Sequence, residues 1–283
     1  MDYWIHLFSL FSIFGIVALS QGLMVGYTGI VFAGAAGFMG IGAYISAILS
    51  LEAGWPIGLS LLAAVLATAA SGCILCLLFS KLRKDYLALS TLGAGVILHD
   101  IYNNWISLTR GPMGIPGVPE LADGNWRALA FFGTSLILSS LAFTVLAHTR
   151  FGILLRAIRD DEELALSFGQ PALVARILVY LISFALLGLA GAYFAHYILY
   201  IDPTSFTLGE SITILSMIII GGMESSSGAL IGTAVFIFLP EGLRFLGLPP
   251  PLAFQIRQGL FGLALILLML FRPQGLLGRY RIT

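Results

Sequence analysis

The sequence of 283 residues offers few groups of side chains that are spaced for catalysis or metal binding. Cys73 and Cys76 have the spacing of a redox dithiol, but they lie inside a continuous apolar run, which favours two small residues packed on one helix face. His99 and Asp100 come nearest to a catalytic pair. The sequence contains no GxxxxGK[ST] phosphate loop, no metal-ligand cluster and no Ser-His-Asp arrangement. We therefore expect a chain that is not an enzyme and binds no cofactor itself.

The densest run of charged residues lies between two apolar regions, and its pattern suits a mechanical role. It reads Leu155-Arg156-Ala157-Ile158-Arg159-Asp160-Asp161-Glu162-Glu163 and continues to Gly169. Asp160 or Asp161 can cap a short helix, whose acidic first turn suits the positive end of the helix dipole. Leu164 and Phe168 are four residues apart and so share a face. The pattern predicts a short amphipathic helix, ended by Gly169, that lies on lipid headgroups or is held by a soluble partner.

A second set of polar and small residues recurs every four positions in residues 86–106. The set consists of Thr91, Gly95, His99 and Asn103, and Asp100 lies beside it. Residues at this spacing share one helix face. An ionised side chain at mid-bilayer costs about 2.5–3.5 kcal/mol, so such a face should meet protein or water. The face can line a translocation path, lie at the outer membrane interface or, as a third hypothesis, relay protons.

Glycines crowd residues 26–42, which contain six of them. Small residues four apart allow two helix backbones to approach closely in lipid, where the hydrophobic effect does not drive helices together. Gly228 and Gly232 repeat this spacing later in the chain. We expect a tightly packed or broken helix beside a path, with Gly34 and Gly37 as lining residues.

The elements that position these residues must lie in a membrane. The chain is 59% hydrophobic and only 10% charged, with a mean hydropathy of +0.99, whereas soluble domains carry about 25% charged residues. Its formal net charge is zero, which gives no bulk attraction for nucleic acid. Continuous apolar runs indicate helices rather than barrel strands. We predict an all-α polytopic bundle of about eight to ten spans, at about 7–26, 30–50, 57–80, 86–106, 128–147, 175–200, 208–222, 228–247 and 253–271.

The cations predict the orientation of these spans. They concentrate in the loop after the third span, in residues 148–174 and after the last span, and all three regions fall on one side. Positively charged loops favour the cytoplasm. We therefore predict a periplasmic N-terminus and a cytoplasmic C-terminus. Residues 1–283 are expected to form a single transmembrane domain with a cytoplasmic loop at 148–174, because no polar stretch is long enough for another core.

Several motifs together resemble the branched-chain amino acid permeases of ABC importers. The segment Glu163-x-Ala165-x-x-x-Gly169 is similar to the E-A-A-x-x-x-G loop by which importer permeases dock on their ATPase subunits. Further motifs similar to landmarks of that family are Gly26-Tyr27-Thr28-Gly29, Gly40-Ile41-Gly42-Ala43-Tyr44, Asn103-Asn104-Trp105, Thr109-Arg110-Gly111-Pro112-Met113-Gly114-Ile115, Gly221-Gly222-Met223 and Phe271-Arg272-Pro273-Gln274-Gly275-Leu276-Leu277. Each motif alone is weak, but their order and spacing along nearly the whole chain are specific.

The resemblance implies a permease subunit that forms half of the path for a small solute and has two inverted structural halves. The implied partners are a second homologous permease, two cytosolic subunits that bind ATP and magnesium, and a periplasmic solute-binding protein, assembled at a bacterial inner membrane. The residues implied to couple the chain to the ATPase are Arg156, Arg159, Asp160, Asp161, Glu163, Ala165, Phe168 and Gly169.

The cargo that the resemblance implies is a branched-chain or other hydrophobic amino acid. Urea, short amides and small carboxylates are alternatives on the same architecture. Two rival hypotheses are a secondary transporter that works without ATPase partners and a membrane-embedded enzyme that acts on lipid.

Overall fold

A computed structural model describes residues 2–80, 82, 84–121 and 124–244, together with 259, 262, 263, 266, 270 and 275–277. The long helices are α1 (Asp2–Thr28), α2 (Ala35–Leu51), α3 (Ile57–Phe79), α4 (Lys84–Asn104), α6 (Asn125–His148), α9 (Ala172–Ile198), α10 (Leu208–Gly221) and α11 (Ser226–Arg244). The short helices are α5 (Ile106–Thr109), α7 (Arg150–Asp160) and α8 (Glu162–Ser167), and two 3-10 turns cover Gly111–Met113 and Pro203–Phe206.

The all-α polytopic fold expected from the sequence is confirmed, since within the described residues eight predicted spans correspond to the eight long helices. Within the described part of the chain, four helices are long and apolar enough to cross a membrane, namely Tyr3–Thr28, Ile57–Phe79, Trp126–His148 and Ala172–Ile198. Shorter apolar helices cover Ala35–Leu51, Leu208–Gly221 and Ser226–Glu241. The ninth predicted span, 253–271, and the end of the eighth lie almost wholly outside the described residues.

The second helix starts later than predicted, and the cause is its glycines. The helix expected from residue 30 begins at Ala35, because residues 29–34 have no regular structure. Gly29 has a φ of +68°, which side chains with a Cβ rarely adopt. The chain therefore leaves α1 at Thr28 and enters α2 through a non-helical break. This is the broken-helix alternative predicted for the glycine-rich stretch.

Helix α9 packs closely on α2 and α3. A Cβ on Gly188 would lie 2.7 Å from the Cβ of Thr68 in α3, and one on Gly42 would lie 2.6 Å from the Cα of Gly188. A Cβ on Gly191 would overlap the carbonyl oxygen of Met39 in α2. These glycines let three helix backbones meet without intervening side chains, as small residues do between membrane helices.

The two ends of the bundle differ in structure. One end gathers α7, α8, the start of α9 and the ends of α1, α6 and α10. The other end holds a two-stranded antiparallel sheet, in which β1 (Ile115–Pro116) pairs with β2 (Tyr200–Ile201). His6 near the N-terminus contacts Tyr197 at this second end, with 2.8 Å between His6 Nδ1 and the phenolic oxygen. The N-terminus and α8 therefore lie at opposite ends of the bundle.

Candidate coupling site

The short helix predicted in the charged segment is present as α8, and its ends follow from its sequence. Of the two predicted caps, Asp161 is the one used: its Oδ1 accepts a hydrogen bond from the Leu164 backbone N–H at 2.9 Å. Gly169 closes the other end with a φ of +73°. The N–H of Gln170 donates to the carbonyl of Ala165 at 3.1 Å, as in a helix ended by a left-handed glycine.

One face of this segment is open to a partner. Leu164 is 54% exposed and Phe168 is 75% exposed, so the apolar pair predicted to share a face lies uncovered. Glu163 and Gly169 are exposed beside them, as are both aspartates, Asp160 and Asp161, whereas Ala165 is buried against the bundle. The exposed surface is therefore an apolar patch bordered by acidic groups. We call this surface, made by residues 160, 161, 163, 164, 168 and 169, the α8 face.

Two arginines of α7 belong to the interior of the site rather than to its exposed face. Arg159 is only 6% exposed. Its Nε lies 3.1 Å from Asp160 Oδ1, and its NH1 donates to Glu224 and to the carbonyl oxygen of Gly26. Arg156 is half-buried and holds the helix junction, because its NH2 donates to the carbonyl of Ala147 at 3.2 Å.

The environment of Arg159 keeps its side chain charged. Burial on its own lowers the pKa of the guanidinium, but the hydrogen bonds and negative charges of Glu224 and then Asp160 oppose this, and the pKa is raised above its ordinary value. A buried arginine with these partners is a permanent cation held in one position. Although the sequence placed Arg159 among the coupling residues, its side chain is not available to a soluble partner.

Glu224 also belongs to this site, although it lies far from the charged segment in the sequence. It lies between α10 and α11, and its side chain is largely buried beside Arg159. The hydroxyl of Tyr27 donates to the Glu224 backbone oxygen at 3.3 Å. A buried arginine requires an acidic partner, but nothing in the local pattern shows which acid, 65 residues away, supplies it.

A cavity of about 430 Å³ opens beside this ion pair. It lies between α6, α7 and the start of α11. Its lining residues are Tyr27, Phe143, Thr144, Ala147, His148, Arg156, Glu224, Ser225, Ser226, Ser227 and Leu277. Arg156 of α7 contributes to this lining, while Gly152 of the same helix packs against the backbone of Ala147 in α6.

A second ion pair attaches α8 to the long helix α9. Arg176 in α9 donates through NH2 to Oε2 of Glu162 in the first turn of α8. Glu162 is more than one-third exposed and Arg176 is mostly buried. The α8 face is therefore mounted on the bundle at two places, through α7 and through α9.

The residues predicted to line a path lie along the contact between α2 and α4. Gly34, Gly37, Thr91 and Gly95 are brought together, and a Cβ on Gly95 would lie 2.7 Å from the Cα of Gly34. Thr91 is fully buried, and its hydroxyl accepts a hydrogen bond from the Ala33 N–H at 3.3 Å. These four residues join two backbones in close contact.

The remaining two path candidates lie further along the same face of α4. The Nδ1 of His99 is 3.1 Å from the carbonyl oxygen of Pro203, so His99 contacts the turn before α10. Asn103 is half-buried, and its backbone carbonyl approaches Gly111. Both residues therefore lie towards the end of the bundle that holds the small sheet, away from the glycine contact.

The fold and the site together define a multi-pass helical membrane protein with a helical segment anchored at one end. The family described as "Branched-chain amino acid transport system / permease component" matches residues 3–270. The chain therefore belongs to the branched-chain amino acid transport permease family.

Curated relatives agree with this assignment. The high-affinity branched-chain amino acid transport system permease protein LivM of Salmonella typhimurium is 31% identical over 94% of this chain and 68% of its own length. The LivM protein of Escherichia coli is 30% identical over 95% of this chain and 68% of its own length. The probable LivM protein of Methanocaldococcus jannaschii is 29% identical over 82% and 73%, respectively. No solved structure matches the chain significantly.

Proposed function

We propose that this chain is a permease subunit of an ATP-driven ABC importer that moves branched-chain or other hydrophobic amino acids inward. The observation that supports this function best is the α8 face, an uncovered apolar patch mounted on two ion pairs. A solvated loop needs neither exposed Leu164 and Phe168 nor a fixed attachment, whereas a docking surface needs both.

The proposed assembly has four kinds of subunit. Two cytosolic subunits bind ATP and magnesium and hold the α8 faces, and a second, homologous permease completes the path. A periplasmic binding protein delivers the solute to the end of the bundle that holds the small sheet. The three relatives carry the name of a branched-chain amino acid permease, which supports this cargo. The assembly places the N-terminus in the periplasm and the C-terminus in the cytoplasm of an inner membrane.

We further propose that α4 borders the path. Its face of Thr91, Gly95, His99 and Asn103 contacts the start of α2, at Gly34 and Gly37, and then the turn at Pro203. A small relative movement of α2 and α4 would therefore change the separation of two helices that are packed backbone to backbone.

Reconstitution tests this function directly. The chain is co-expressed with the permease, ATPase and binding-protein genes of its own operon or genomic neighbourhood, and uptake of labelled leucine into proteoliposomes is measured with and without ATP. We expect uptake that requires ATP and the binding protein. Unlabelled isoleucine should compete, whereas urea and acetate should not. Uptake by this chain alone under an ion gradient would instead establish a secondary transporter.

Two substitutions on the α8 face connect this activity with the site. Glu163→Lys reverses a charge on the exposed border, and Gly169→Pro cannot adopt the φ of +73° that closes α8. Both variants should insert normally but lose association with the ATPase subunits and uptake. Arg150→Glu, which reverses an exposed charge on α7 outside the α8 face, is the matched control. Normal uptake by both α8 variants would contradict the docking role.

A further inference from the structure

The side chain of Arg159 connects the base of the α7–α8 segment to two other parts of the chain. Its NH1 donates both to the carboxylate of Glu224, between α10 and α11, and to the carbonyl of Gly26 near the end of α1. Burial of the guanidinium means that water cannot replace either partner without opening the site. The connection is therefore specific, and loss of Arg159 would remove the cation that faces the largely buried carboxylate of Glu224.

The two partners of Arg159 already form one packed unit. Gly26 lies so close to the turn that a Cβ on it would overlap the carbonyl oxygen of Met223, and Tyr27 donates to the backbone of Glu224. The segment Gly275–Leu277 adds hydrogen bonds to the end of α10, where the N–H of Leu277 donates to the Gly221 carbonyl at 3.0 Å. A movement of Arg159 therefore acts on the end of α10 as a whole.

Helix α10 extends this connection to the start of α2. The helix has 14 residues and runs without interruption from Leu208 to Gly221. Near its first turn, the hydroxyl of Ser211 accepts a hydrogen bond from the N–H of Ala36 at 3.1 Å. Ala36 is the second residue of α2, beside the glycine contact with α4. A rigid helix with one end at Glu224 and the other at Ala36 can carry a displacement between the two places.

We propose that Arg159 is the positioning residue that transmits movement of the α8 face, through Glu224 and α10, to the contact between α2 and α4. This inference rests on the proposed function, because it assumes that an ATPase subunit moves the α8 face. Arg176 and Glu162 attach α8 to α9, whereas Arg159 is the attachment that leads to α10.

The test separates assembly from coupling. The importer is reconstituted with its ATPase subunits and binding protein, and three quantities are measured: ATPase subunits retained on purification, the rate of ATP hydrolysis, and leucine taken up per ATP hydrolysed. The variants are Arg159→Gln, Glu224→Gln and the conservative Arg159→Lys. Arg150→Gln, which removes an exposed arginine of the same helix, is the control.

We expect both single variants to retain the ATPase subunits and to hydrolyse ATP, while uptake per ATP falls by roughly ten-fold, as for a lost coupling between two sites. Arg159→Lys, which keeps a charged donor for Glu224, should lose less uptake per ATP than Arg159→Gln, and Arg150→Gln should behave as the unaltered protein. Unchanged uptake per ATP in both single variants would overturn the proposal. So would loss of the ATPase subunits from them, since Arg159 would then only support docking.

Protein that fails to insert is recognised by its absence from the detergent-soluble fraction. Glu224→Gln is expected to insert, because glutamine keeps the size of the side chain and a hydrogen-bond acceptor for Arg159. If the unaltered chain itself binds no ATPase subunit, the proposed function fails, and that result is distinct from the loss of coupling sought in the variants.

Discussion

The imidazole of His196 lies 2.8 Å from the hydroxyl of Ser46, between the ends of α9 and α2. Its other nitrogen, Nδ1, lies 2.7 Å from the carbonyl oxygen of Pro119. A carbonyl can only accept, so Nδ1 bears the proton and Nε2 accepts from Ser46. Both nitrogens are satisfied, although the residue is fully buried. One neutral histidine thus joins two spans to the loop that precedes α6.

Replacing this histidine should destabilise the protein more than replacing an exposed one. In His196→Leu, the hydroxyl of Ser46 and the carbonyl of Pro119 lose their partner, at a cost of about 1–3 kcal/mol for each buried group left unsatisfied. The melting temperature in detergent should fall measurably. His148→Leu, at an exposed position, should leave it nearly unchanged. Equal melting temperatures for the two variants would contradict the structural role of His196.

The burial of His196 could not be predicted from the sequence. Its position near Tyr193 and Tyr197 suits an interfacial aromatic belt, and the periodicity of α9 does not exclude this interpretation. The structure buries it instead, because its partners Ser46 and Pro119 are 150 and 77 residues away. A helical pattern predicts which residues share a face, but it does not predict what that face meets.

The same dependence on distant residues explains why helix α8 could be predicted from the charged segment while the burial of Arg159 could not. The cap and the end of α8 depend on neighbours within a few residues, so Asp161 and Gly169 could be predicted from sequence. The burial of Arg159 depends on Glu224, which the chain brings near only after five more elements. For this reason the predicted helix is confirmed, while the inward direction of Arg159 could not be foreseen.

The glycine contacts at α9 predict that the addition of a single methyl group will lower the stability of the protein. Gly191→Ala places a Cβ onto the carbonyl of Met39, so α2 and α9 must separate. Overpacking of this kind costs about 1–3 kcal/mol. Gly133→Ala in α6 meets no atom within 4 Å and removes a helical glycine, so it should be neutral or slightly stabilising. Thermal unfolding of the two variants in one detergent measures the difference. A Gly191 variant as stable as the Gly133 variant would mean that the helices are not in close contact.

The glycine-rich stretches predicted close packing, and the described helices show it, but the pairs were not predictable. Gly34 meets Gly95 of α4, whereas Gly42 meets Gly188 of α9. Both glycines belong to one crowded segment with the same local spacing. The partner of each depends on the direction in which α2 leaves the break at residues 29–34, and a tertiary contact determines this direction.

The cap of α8 gives a prediction about coupling that leaves the apolar pair Leu164 and Phe168 unchanged. Asp161→Ala removes the acceptor for the Leu164 N–H, which costs about 0.5–2 kcal/mol of helix stability. Part of the α8 population should then unfold locally, and uptake should fall more than protein abundance. Asp161→Ser restores a capping side chain without the charge, so it should recover most of the uptake. If serine fails while Asp161→Glu succeeds, the negative charge matters rather than the cap.

The predicted orientation in the membrane can be tested by labelling two highly exposed apolar positions at opposite ends of the bundle. Met113 is 83% exposed beside the small sheet, and Phe168 is 75% exposed on the α8 face. After Cys73 and Cys76 are replaced by serine, Met113→Cys should react in intact cells with a maleimide that cannot cross the membrane. Phe168→Cys should react only after the inner membrane is opened. In the chain expressed without its ATPase subunits, both positions are highly exposed, so a difference in labelling reports the side of the membrane and not burial. The reverse pattern would place the α8 face outside the cell, where no ATP-binding subunit could reach it, and the proposed function would fail together with the orientation.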